Sequence, residues 1–354
     1  MKTQFWRGKR VFLTGHTGFK GAWLAFLLSE LGADVHGLAL APPATSLFND
    51  LNLKSRLRHT IGDIRDRALL SQTLSKFEPQ IILHLAAQAL VSQSYSDPVG
   101  TYGTNVMGTM HVLDAISATP SVRAAVIVTS DKCYENLGQR KRFVESDPLG
   151  GKDIYSSSKA CAEILTHSYR ESFLSDAKCC VASVRAGNVI GGGDWSDNRI
   201  IPDIVRAAQK REALVLRRPR AIRPWQHVLD PIRGYLQLAE ALFSQNRQAA
   251  AAWNFGPGPE GEIQVLRIVE RAKEYFPELM WRIEAPPFEE ANLLAIDSTK
   301  AKICLKWSPL LTTVEAVDWT FSWYRDYLAG QAAEKLTGNH IEKFFARQQL
   351  AVQS

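Results

Sequence analysis

The sequence is poor in cysteine and contains no long hydrophobic run. An odd number of cysteines, none of them in a C-x-x-C pair, argues against a disulfide framework and against a structural zinc site. No apolar stretch reaches the roughly 18–20 residues that a membrane span requires, and the run at 11–13 is too short for a secretory signal. We therefore expect a cytoplasmic protein with no metal site and no membrane partner. The five cysteines are Cys133, Cys161, Cys179, Cys180 and Cys304.

The chain also lacks a strong excess of one charge sign. Its 354 residues are 45% hydrophobic and 22% charged, with a formal net charge of +6, which is ordinary globular composition. Basic residues cluster at Arg217, Arg218, Arg220 and Arg223. This cluster favours a site for an anionic substrate over a scattered basic surface. Aromatic residues do not interleave with basic ones in a stripe, so nucleic acid is not an expected partner.

Strand and helix patterns alternate through the first half of the chain. Short apolar runs indicate buried strands, and leucines at helical spacing indicate helices between them. This alternation predicts an α/β fold with a doubly wound parallel sheet of the Rossmann type. Strands are predicted at Arg10–Thr14 and at 35–40, 80–85, 124–129 and 181–184, and helices at 21–31, 66–77, 102–117 and 155–173.

The regularity weakens after about residue 187, where glycine, proline and tryptophan become frequent. We expect residues 1–187, joined by about 228–254, to form the Rossmann-like domain. Residues 188–227 with 255–330 are expected to form a smaller substrate-binding lobe. The tail at 331–354 carries apolar residues at helical spacing, which predicts an amphipathic helix packed on the body or on a partner. These apolar residues are Leu336, Ile341, Phe344 and Phe345.

A glycine motif follows the first predicted strand and opens the first predicted helix. It reads Gly15-His16-Thr17-Gly18-Phe19-Lys20-Gly21. Glycines there allow the backbone to approach a pyrophosphate, and the helix N-terminus stabilises the negative charge. The strand–turn–helix context favours a dinucleotide site over a purely structural turn.

The spacing G-x-x-G-x-x-G resembles the extended short-chain dehydrogenase/reductase superfamily, and so do three segments downstream. The resemblance implies that Asp63 and Ile64 lie at the adenine ring. It also implies that Leu85, Ala86 and Ala87 end a strand beside the nicotinamide ribose, next to Gln88 at the substrate. Two further cofactor positions are implied, Asn105 in the central-helix motif and Thr129.

One feature of such cofactor sites is missing from the sequence. A carboxylate at the end of the second strand normally binds the ribose 2′-hydroxyl of NAD. Here the segment 38–42 reads Leu-Ala-Leu-Ala-Pro, with neither an acid nor a closely following arginine for a 2′-phosphate. NAD is favoured over NADP.

The segment Tyr155-Ser156-Ser157-Ser158-Lys159 matches the Y-x-x-x-K motif of the superfamily. On a helix the two outer residues share one face. A free tyrosine has a pKa of about 10 and is a poor base at neutral pH, but a nearby ammonium favours the phenolate. We therefore predict that Lys159 lowers the pKa of Tyr155, and that Tyr155 acts as a general base beside a nicotinamide.

Ser130, Asp131 and Lys132 follow the fourth predicted strand, at the edge where α/β sheets build their sites. Ser130 resembles the superfamily residue whose hydroxyl binds the reacting oxygen of the substrate. Epimerases and simple oxidoreductases of the superfamily need only this hydroxyl, a tyrosine and a lysine. Sugar-nucleotide 4,6-dehydratases add an acid–base pair, which is Asp-Glu in the dTDP-glucose enzymes. Asp131 and Lys132 resemble this pair, with lysine in place of glutamate. The alternative is a solvated charged pair at the start of a loop.

The string from Ser130 to Asn136 and several others resemble the CDP-glucose 4,6-dehydratase family over nearly the whole chain. The other strings are 15–23, 185–195 and 223–230. The resemblance implies that Asn188 and Arg223 contact the substrate diphosphate or sugar, and that Arg199 and Asn254 lie near the nucleotide. The alternative for these residues is surface charge and loop capping. The chain departs from the family at Glu289-Glu290-Ala291, where His-Glu-Ala is frequent.

The resemblance implies that CDP-glucose loses water to give CDP-4-dehydro-6-deoxy-D-glucose through transient oxidation at carbon 4 by tightly bound NAD. The product would enter deoxysugar synthesis, such as that of lipopolysaccharide O-antigen. A homodimer or homotetramer is expected, built through the helices at 102–117 and 155–173. The alternatives are a dehydratase or a 4-epimerase for a dTDP-, GDP- or UDP-sugar, and a dinucleotide sensor without activity.

Overall fold

A parallel sheet of seven strands forms the centre of the computed structural model, which describes residues 1–138, 141–174, 179–284 and 294–353. The described strands are β1 (Arg10–Thr14), β2 (Asp34–Ala39), β3 (Arg58–Ile61), β4 (Ile81–His84), β5 (Ala124–Val128), β6 (Arg142–Phe143), β7 (Cys180–Arg185), β8 (Val189–Ile190), β9 (Ala213–Leu216), β10 (Ile222–Pro224), β11 (Gln226–His227), β12 (Ala252–Asn254), β13 (Glu262–Gln264), β14 (Met280–Ile283) and β15 (Ala295–Ile296). The order of the strands in the sheet is β12-β7-β5-β4-β1-β2-β3, and every pairing in it is parallel.

Helices cover both faces of this sheet, because its strands are apolar on both sides. In β1, Val11 and Leu13 belong to one hydrophobic core, whereas Phe12 belongs to a second core on the opposite face. The described helices are α1 (Phe19–Glu30), α2 (Leu47–Asp50), α3 (Arg67–Phe77), α4 (Val91–Ser96), α5 (Pro98–Tyr102), α6 (Gly108–Ser117), α7 (Ile154–Ser172), α8 (Ile200–Lys210), α9 (Leu229–Phe243), α10 (Val265–Ala272), α11 (Thr299–Cys304), α12 (Thr313–Leu328) and α13 (Ala333–Gln353).

The predicted fold class is confirmed, and all five predicted strands are present within one or two residues of their expected ends. The sequence did not predict β3, an edge strand with an exposed or half-exposed burial pattern, because it carries no apolar run. The helix predicted at 102–117 is divided, since a π-helical segment at Gly103–Met107 separates α5 from α6.

The later segments contribute short strand pairs and one further strand of the main sheet. Strand β12 pairs with β7 and so extends the sheet. Strand β10 pairs with β13, and β9 pairs with β14. These pairs bring the segments around 213–224 and 262–283 together next to the carboxyl ends of the central strands.

The tail forms helix α13, which packs on the body of the protein. Leu336, Ile341 and Phe344 are buried in the same core as α1 and α12, and Trp323 donates its indole N–H to the Thr337 hydroxyl at 3.2 Å. The tail was expected to pack on the body or on a partner, and the structure shows contact with the body. Within the described residues, no helix is both long and apolar enough to cross a membrane.

Candidate active site

The glycine loop between β1 and α1 requires glycine for steric reasons. Gly15 has a φ of 74°, and a Cβ there would lie 2.7 Å from the Ala86 nitrogen. A Cβ on Gly21 would lie 2.1 Å from the Gly15 carbonyl oxygen. Helix α1 starts after Gly18 with no side-chain cap, so the N–H groups of its first turn have no partner within the helix. The loop therefore offers a close backbone approach and a positive helix terminus to an anion.

This loop forms one wall of a cavity of about 1000 Å³. The cavity lies along the carboxyl ends of the central strands, where doubly wound sheets place their ligands. It brings together twenty-one of the predicted site residues. They are Gly15, Thr17, Gly18, Phe19, Lys20, Gly21, Asp63, Ile64, Leu85, Ala86, Ala87, Gln88, Thr129, Ser130, Asp131, Lys132, Tyr155, Lys159, Asn188, Arg199 and Arg223.

Three predicted site residues do not line the cavity, and the first is His16. Its ring is fully buried behind the glycine loop, in edge contact with the rings of Phe48 and His59. Burial lowers the pKa of His16 to about 4, so the imidazole is neutral at physiological pH. His16 is predicted to bind the cofactor as part of the glycine loop, and the structure shows that its ring is turned into the core and does not line the cavity.

Asn105 and Asn254 are also buried away from the cavity. The Asn105 amide holds both the backbone N–H and the carbonyl of Gln88, at 2.9 and 3.0 Å. The Asn254 amide donates to the carbonyls of Phe143 and Asp297 and accepts from the Tyr134 hydroxyl at 2.8 Å. Both amides are engaged in hydrogen bonds within the protein, and neither side chain lines the cavity. The triplet at 289–291 lies outside the described residues.

The predicted catalytic triplet of Ser130, Asp131 and Lys132, which follows β5, forms a compact hydrogen-bonded turn. The Ser130 hydroxyl donates to the Asp131 carboxylate at 3.1 Å and accepts from the Lys132 backbone N–H at 3.2 Å. Asp131 is almost fully buried, and this burial raises the pKa of its carboxyl, opposed mainly by the charge of Lys132. A carboxyl with a raised pKa is suited to donate a proton. Lys132 is half-buried and lines the cavity.

Tyr155 and Lys159 lie on the first turns of α7, whose start is fixed by Asp153. The Asp153 carboxylate accepts from the backbone N–H and the hydroxyl of Ser156, at 2.8 and 2.6 Å. Burial raises the pKa of Tyr155 to about 12, partly offset by a hydrogen bond with Ser130. Burial also lowers the pKa of Lys159 to about 8. The predicted lowering of the Tyr155 pKa is therefore wrong for the protein alone, because desolvation of the phenolate is the largest effect.

Lys20 extends from the glycine loop toward the catalytic end of the cavity, which sequence reasoning missed. Burial lowers the pKa of Lys20 to about 8, helped by the charges of Arg199 and Lys159 and opposed by that of Asp131. Its ammonium lies 3.4 Å from the Tyr235 hydroxyl. The sequence assigned Lys20 to the cofactor loop by position alone, whereas the structure places its charge among the predicted catalytic groups.

A buried carboxylate, Asp194, was also missed. It lines the cavity and forms an ion pair with Arg199 at 3.0 Å. Asp194 belongs to the string 185–195 that carried the family resemblance, so the signal was present but its partner was not predictable. Arg199 is thus held at the cavity wall by a buried anion, with part of its guanidinium still exposed.

At the opposite end of the cavity lie Leu40, Asp63 and Arg65. The carboxylate of Asp63 is bound by the Arg65 guanidinium at 2.6 Å, and this contact holds the pKa of Asp63 below its usual range. Leu40 follows β2 and is exposed, and its carbonyl accepts from the Thr17 hydroxyl at 3.0 Å. The position that commonly carries an acid thus presents an apolar side chain to the cavity.

Comparison with known proteins places these features in a family. A family model described as GDP-mannose 4,6 dehydratase matches residues 12–320. The chain is 42% identical over 335 residues to a CDP-glucose 4,6-dehydratase of Salmonella typhimurium, covering 92% of this chain and 93% of that protein. The resemblance to sugar-nucleotide dehydratases is thereby confirmed.

Two solved structures share the fold at low sequence identity. A dTDP-glucose 4,6-dehydratase from Bacillus anthracis, in complex with NAD, aligns with a TM-score of 0.76 at 22% identity, over 93% of this chain and all of that one. A UDP-glucose 4-epimerase from Thermotoga maritima, with UDP-glucose, aligns with a TM-score of 0.78 at 19% identity, over 90% and 99% of the two chains. At this identity the likeness supports the shared fold alone.

Proposed function

The chain belongs to the GDP-mannose 4,6-dehydratase family, and on that premise we propose that it is a CDP-glucose 4,6-dehydratase that uses NAD. The observation that carries the proposal is the meeting of Tyr155 and Lys159 with Asp131 and Lys132 in one cavity. Hydride chemistry at carbon 4 needs only the first pair. An added acid–base pair is what water loss between carbons 5 and 6 requires. The likeness to the Salmonella enzyme supports CDP-glucose as the substrate.

The described residues fit a dinucleotide. The glycine cradle leaves no room for a Cβ at Gly15 or Gly21, and the uncapped start of α1 presents backbone donors to a pyrophosphate. When bound, NAD supplies a hydride acceptor beside the sugar, which makes oxidation at carbon 4 and a later reduction at carbon 6 feasible. Leu40 offers no positive charge to a 2′-phosphate, and the guanidinium of the nearby Arg65 is already paired with Asp63; this supports NAD rather than NADP.

The side chains supply the proton transfers. Tyr155 takes the proton of the carbon 4 hydroxyl, and Ser130 holds the same oxygen by a hydrogen bond. The resulting ketone acidifies the hydrogen at carbon 5, which Lys132 removes directly or through a water. Asp131 protonates the departing carbon 6 hydroxyl, for which its raised pKa suits it. The net change is loss of one water from the sugar, and the cofactor returns to its starting state.

This reaction gives the proposal a direct test. With excess CDP-glucose and a catalytic amount of NAD, we expect a product lighter by one water and no lasting absorbance of NADH. Accumulation of NADH in step with product would indicate a plain dehydrogenase. A product of unchanged mass would indicate a 4-epimerase, and turnover restricted to dTDP-, UDP- or GDP-glucose would reassign the nucleotide. No turnover of any nucleotide sugar would leave a dinucleotide-binding protein without activity.

Arg223 is proposed to clamp the substrate diphosphate. It is nine-tenths buried, it lines the cavity, and its charge acts on the Asp131 carboxyl. A charge-assisted hydrogen bond contributes about 1.5–3 kcal/mol. Arg223→Ala should therefore raise KM for CDP-glucose and lower kcat/KM more than tenfold. The matched control is Arg267→Ala, whose side chain is exposed and pairs only locally with Glu270.

Thermal unfolding measured alongside separates binding from folding for this variant. A wild-type KM and kcat/KM in Arg223→Ala would contradict the assignment and make Arg223 a structural residue. Equal losses in Arg223→Ala and Arg267→Ala would point to a general charge effect instead of a phosphate contact.

We further propose a homo-oligomer built through the helices on one side of the sheet. Val99, Met107, Ile164 and Phe173 project exposed apolar side chains from the segments α5 to α7. A second copy related by twofold symmetry would cover the same patch on both subunits. A cytoplasmic location and a role in deoxysugar synthesis are proposed in keeping with the family. The five thiols, which are all free, suit a reducing compartment.

A further inference from the structure

A buried ion pair lies directly beneath the proposed catalytic residues. Glu163 and Arg185 are both almost fully buried, and the Arg185 guanidinium donates to the Glu163 carboxylate at 2.9 Å. Glu163 lies on α7 four residues after Lys159, so both side chains project from the same helix face. Arg185 ends β7, the strand next to β5. The pair thus connects the catalytic helix with the centre of the sheet.

The Glu163 carboxylate makes two further contacts, each with a different strand. It accepts hydrogen bonds from the hydroxyl of Thr129 at the end of β5 and from that of Ser183 in β7, the latter at 2.6 Å. Thr129 immediately precedes Ser130. One carboxylate therefore joins the helix that carries Tyr155 to the strand end that carries the catalytic triplet.

The network continues from Arg185 toward the back of the site. Arg185 donates to the Tyr134 hydroxyl at 2.7 Å, and Tyr134 donates to the Asn254 amide oxygen at 2.8 Å. Asn254 is therefore part of this buried network. The segment that follows the catalytic triplet is thus fixed by the same set of hydrogen bonds as the triplet itself.

We propose that Glu163 is a positioning residue, whose buried carboxylate sets the distance between Tyr155 and Lys159 on the helix and Ser130 and Asp131 at the strand end. Glu163 lines no part of the described cavity, so it acts through its neighbours and not on the substrate. The inference rests on the proposed function in taking those four residues as the reacting site.

The same carboxylate also acts on the charge of Lys159. Burial lowers the pKa of Lys159, and the nearby Glu163 carboxylate opposes that effect. Lys20 adds a like charge, whereas His84 and Cys133 are neutral, because burial lowers the pKa of His84 to about 3 and raises that of the Cys133 thiol. The groups facing Lys159 thus come from α7 (Glu163), α1 (Lys20), β4 (His84) and the turn after β5 (Cys133).

The test measures kcat and KM against pH for Glu163→Gln and Glu163→Asp. Lys159 must be protonated to support the Tyr155 phenolate, so activity should fall as pH rises through the pKa of Lys159. Without the Glu163 charge that fall should begin about one pH unit lower, with kcat reduced about tenfold or more and KM little changed. Glu163→Asp keeps the charge and should restore the alkaline limb.

Glu163→Gln leaves Arg185 buried without its counter-charge, which can impair folding. The double variant Glu163→Gln with Arg185→Gln removes both charges and should show the same shifted profile. Asp318→Asn is the matched control, because it breaks the Arg271–Asp318 pair at 2.6 Å outside the described cavity, and it should keep the wild-type profile.

The proposal would be overturned if Glu163→Gln, or its double variant with Arg185→Gln, folds and keeps the wild-type kcat and the wild-type alkaline limb. So would a shift of equal size in Asp318→Asn. Failure of the wild-type protein itself to dehydrate CDP-glucose would instead contradict the proposed function, so the two failures are distinguishable.

Discussion

Tyr155→Phe should abolish the dehydration of CDP-glucose and also its first step, the oxidation of carbon 4. The phenol is buried and hydrogen-bonded with Ser130, and in the proposed mechanism it takes the hydroxyl proton. General acid–base groups contribute about 10²–10⁴ in rate, so kcat should fall about 10³-fold or more. Mixing the variant with substrate and NAD should give no burst of NADH absorbance within a single turnover.

The matched control is the same tyrosine-to-phenylalanine substitution at another position of the helix. Tyr169→Phe removes a hydroxyl from the same helix, about four turns further on, where the ring packs at the edge of the second core. It should retain near wild-type kcat. A rapid NADH burst in Tyr155→Phe would transfer the base role to another group, and equal loss in both variants would point to damage of the helix.

The burial of Tyr155 also bears on how activity depends on pH. Burial raises the pKa of Tyr155 to about 12 in the protein alone. In the proposed mechanism a protonated Lys159 is the group that favours the phenolate. Loss of activity at alkaline pH should therefore follow Lys159, in agreement with the profile expected from the Glu163 variants.

The sequence was sufficient to predict the parts of the site that depend on backbone geometry. The glycine loop was predictable because strand, turn and helix follow one another within a few residues, and only glycine fits at Gly15 and Gly21. The placement of Tyr155 and Lys159 in one cavity was predictable because helical spacing puts both on one face of α7. Local geometry fixes these features, so a single sequence contains them.

Side-chain direction was less predictable, because it depends on contacts between distant segments. His16 lies in the glycine motif, yet its ring enters the core beside Phe48. Asn254 was placed near the nucleotide by the family resemblance, yet its amide is hydrogen-bonded to Tyr134 and to two carbonyls. In both cases the partner is at least 30 residues away along the chain.

The sign of a pKa shift was unpredictable for a related reason. The Y-x-x-x-K spacing indicates an attractive charge near the phenol, but it does not indicate how much water the fold removes. In the structure desolvation is the largest effect on Tyr155 and also on Lys159. The role of Glu163 was unpredictable for the same reason, because its contacts with Thr129 and Ser183 form only when α7 packs on the sheet.

Lys132→Ala should separate the first chemical step from the second. The family resemblance puts Lys132 where the dTDP-glucose enzymes have a glutamate, and the side chain lines the cavity next to the buried Asp131. Tyr155, Ser130 and Lys159 are unchanged in this variant, so carbon 4 should still be oxidised. Enzyme-bound NADH should appear on mixing with CDP-glucose, and dehydrated product should form about 10²–10⁴-fold more slowly than in the wild type.

Isotope exchange locates the block more sharply than the rate does. In deuterated water the wild-type enzyme should release product that carries deuterium from solvent at carbon 5. Lys132→Ala should instead return substrate whose carbon 5 hydrogen has not exchanged, even after long incubation with bound NADH present. Asp131→Asn offers the complementary block, since the carbon 5 hydrogen should exchange while the carbon 6 hydroxyl is retained.

The control for Lys132→Ala is Lys152→Ala, which removes an exposed lysine from the segment that precedes α7. It should dehydrate CDP-glucose at the wild-type rate. Near-normal dehydration by Lys132→Ala would contradict its role as the base and leave it an electrostatic partner of Asp131. Loss of the NADH burst in that variant would assign it to substrate positioning instead. The predicted combination of retained oxidation, absent exchange and slow water loss is specific to a missing carbon 5 base.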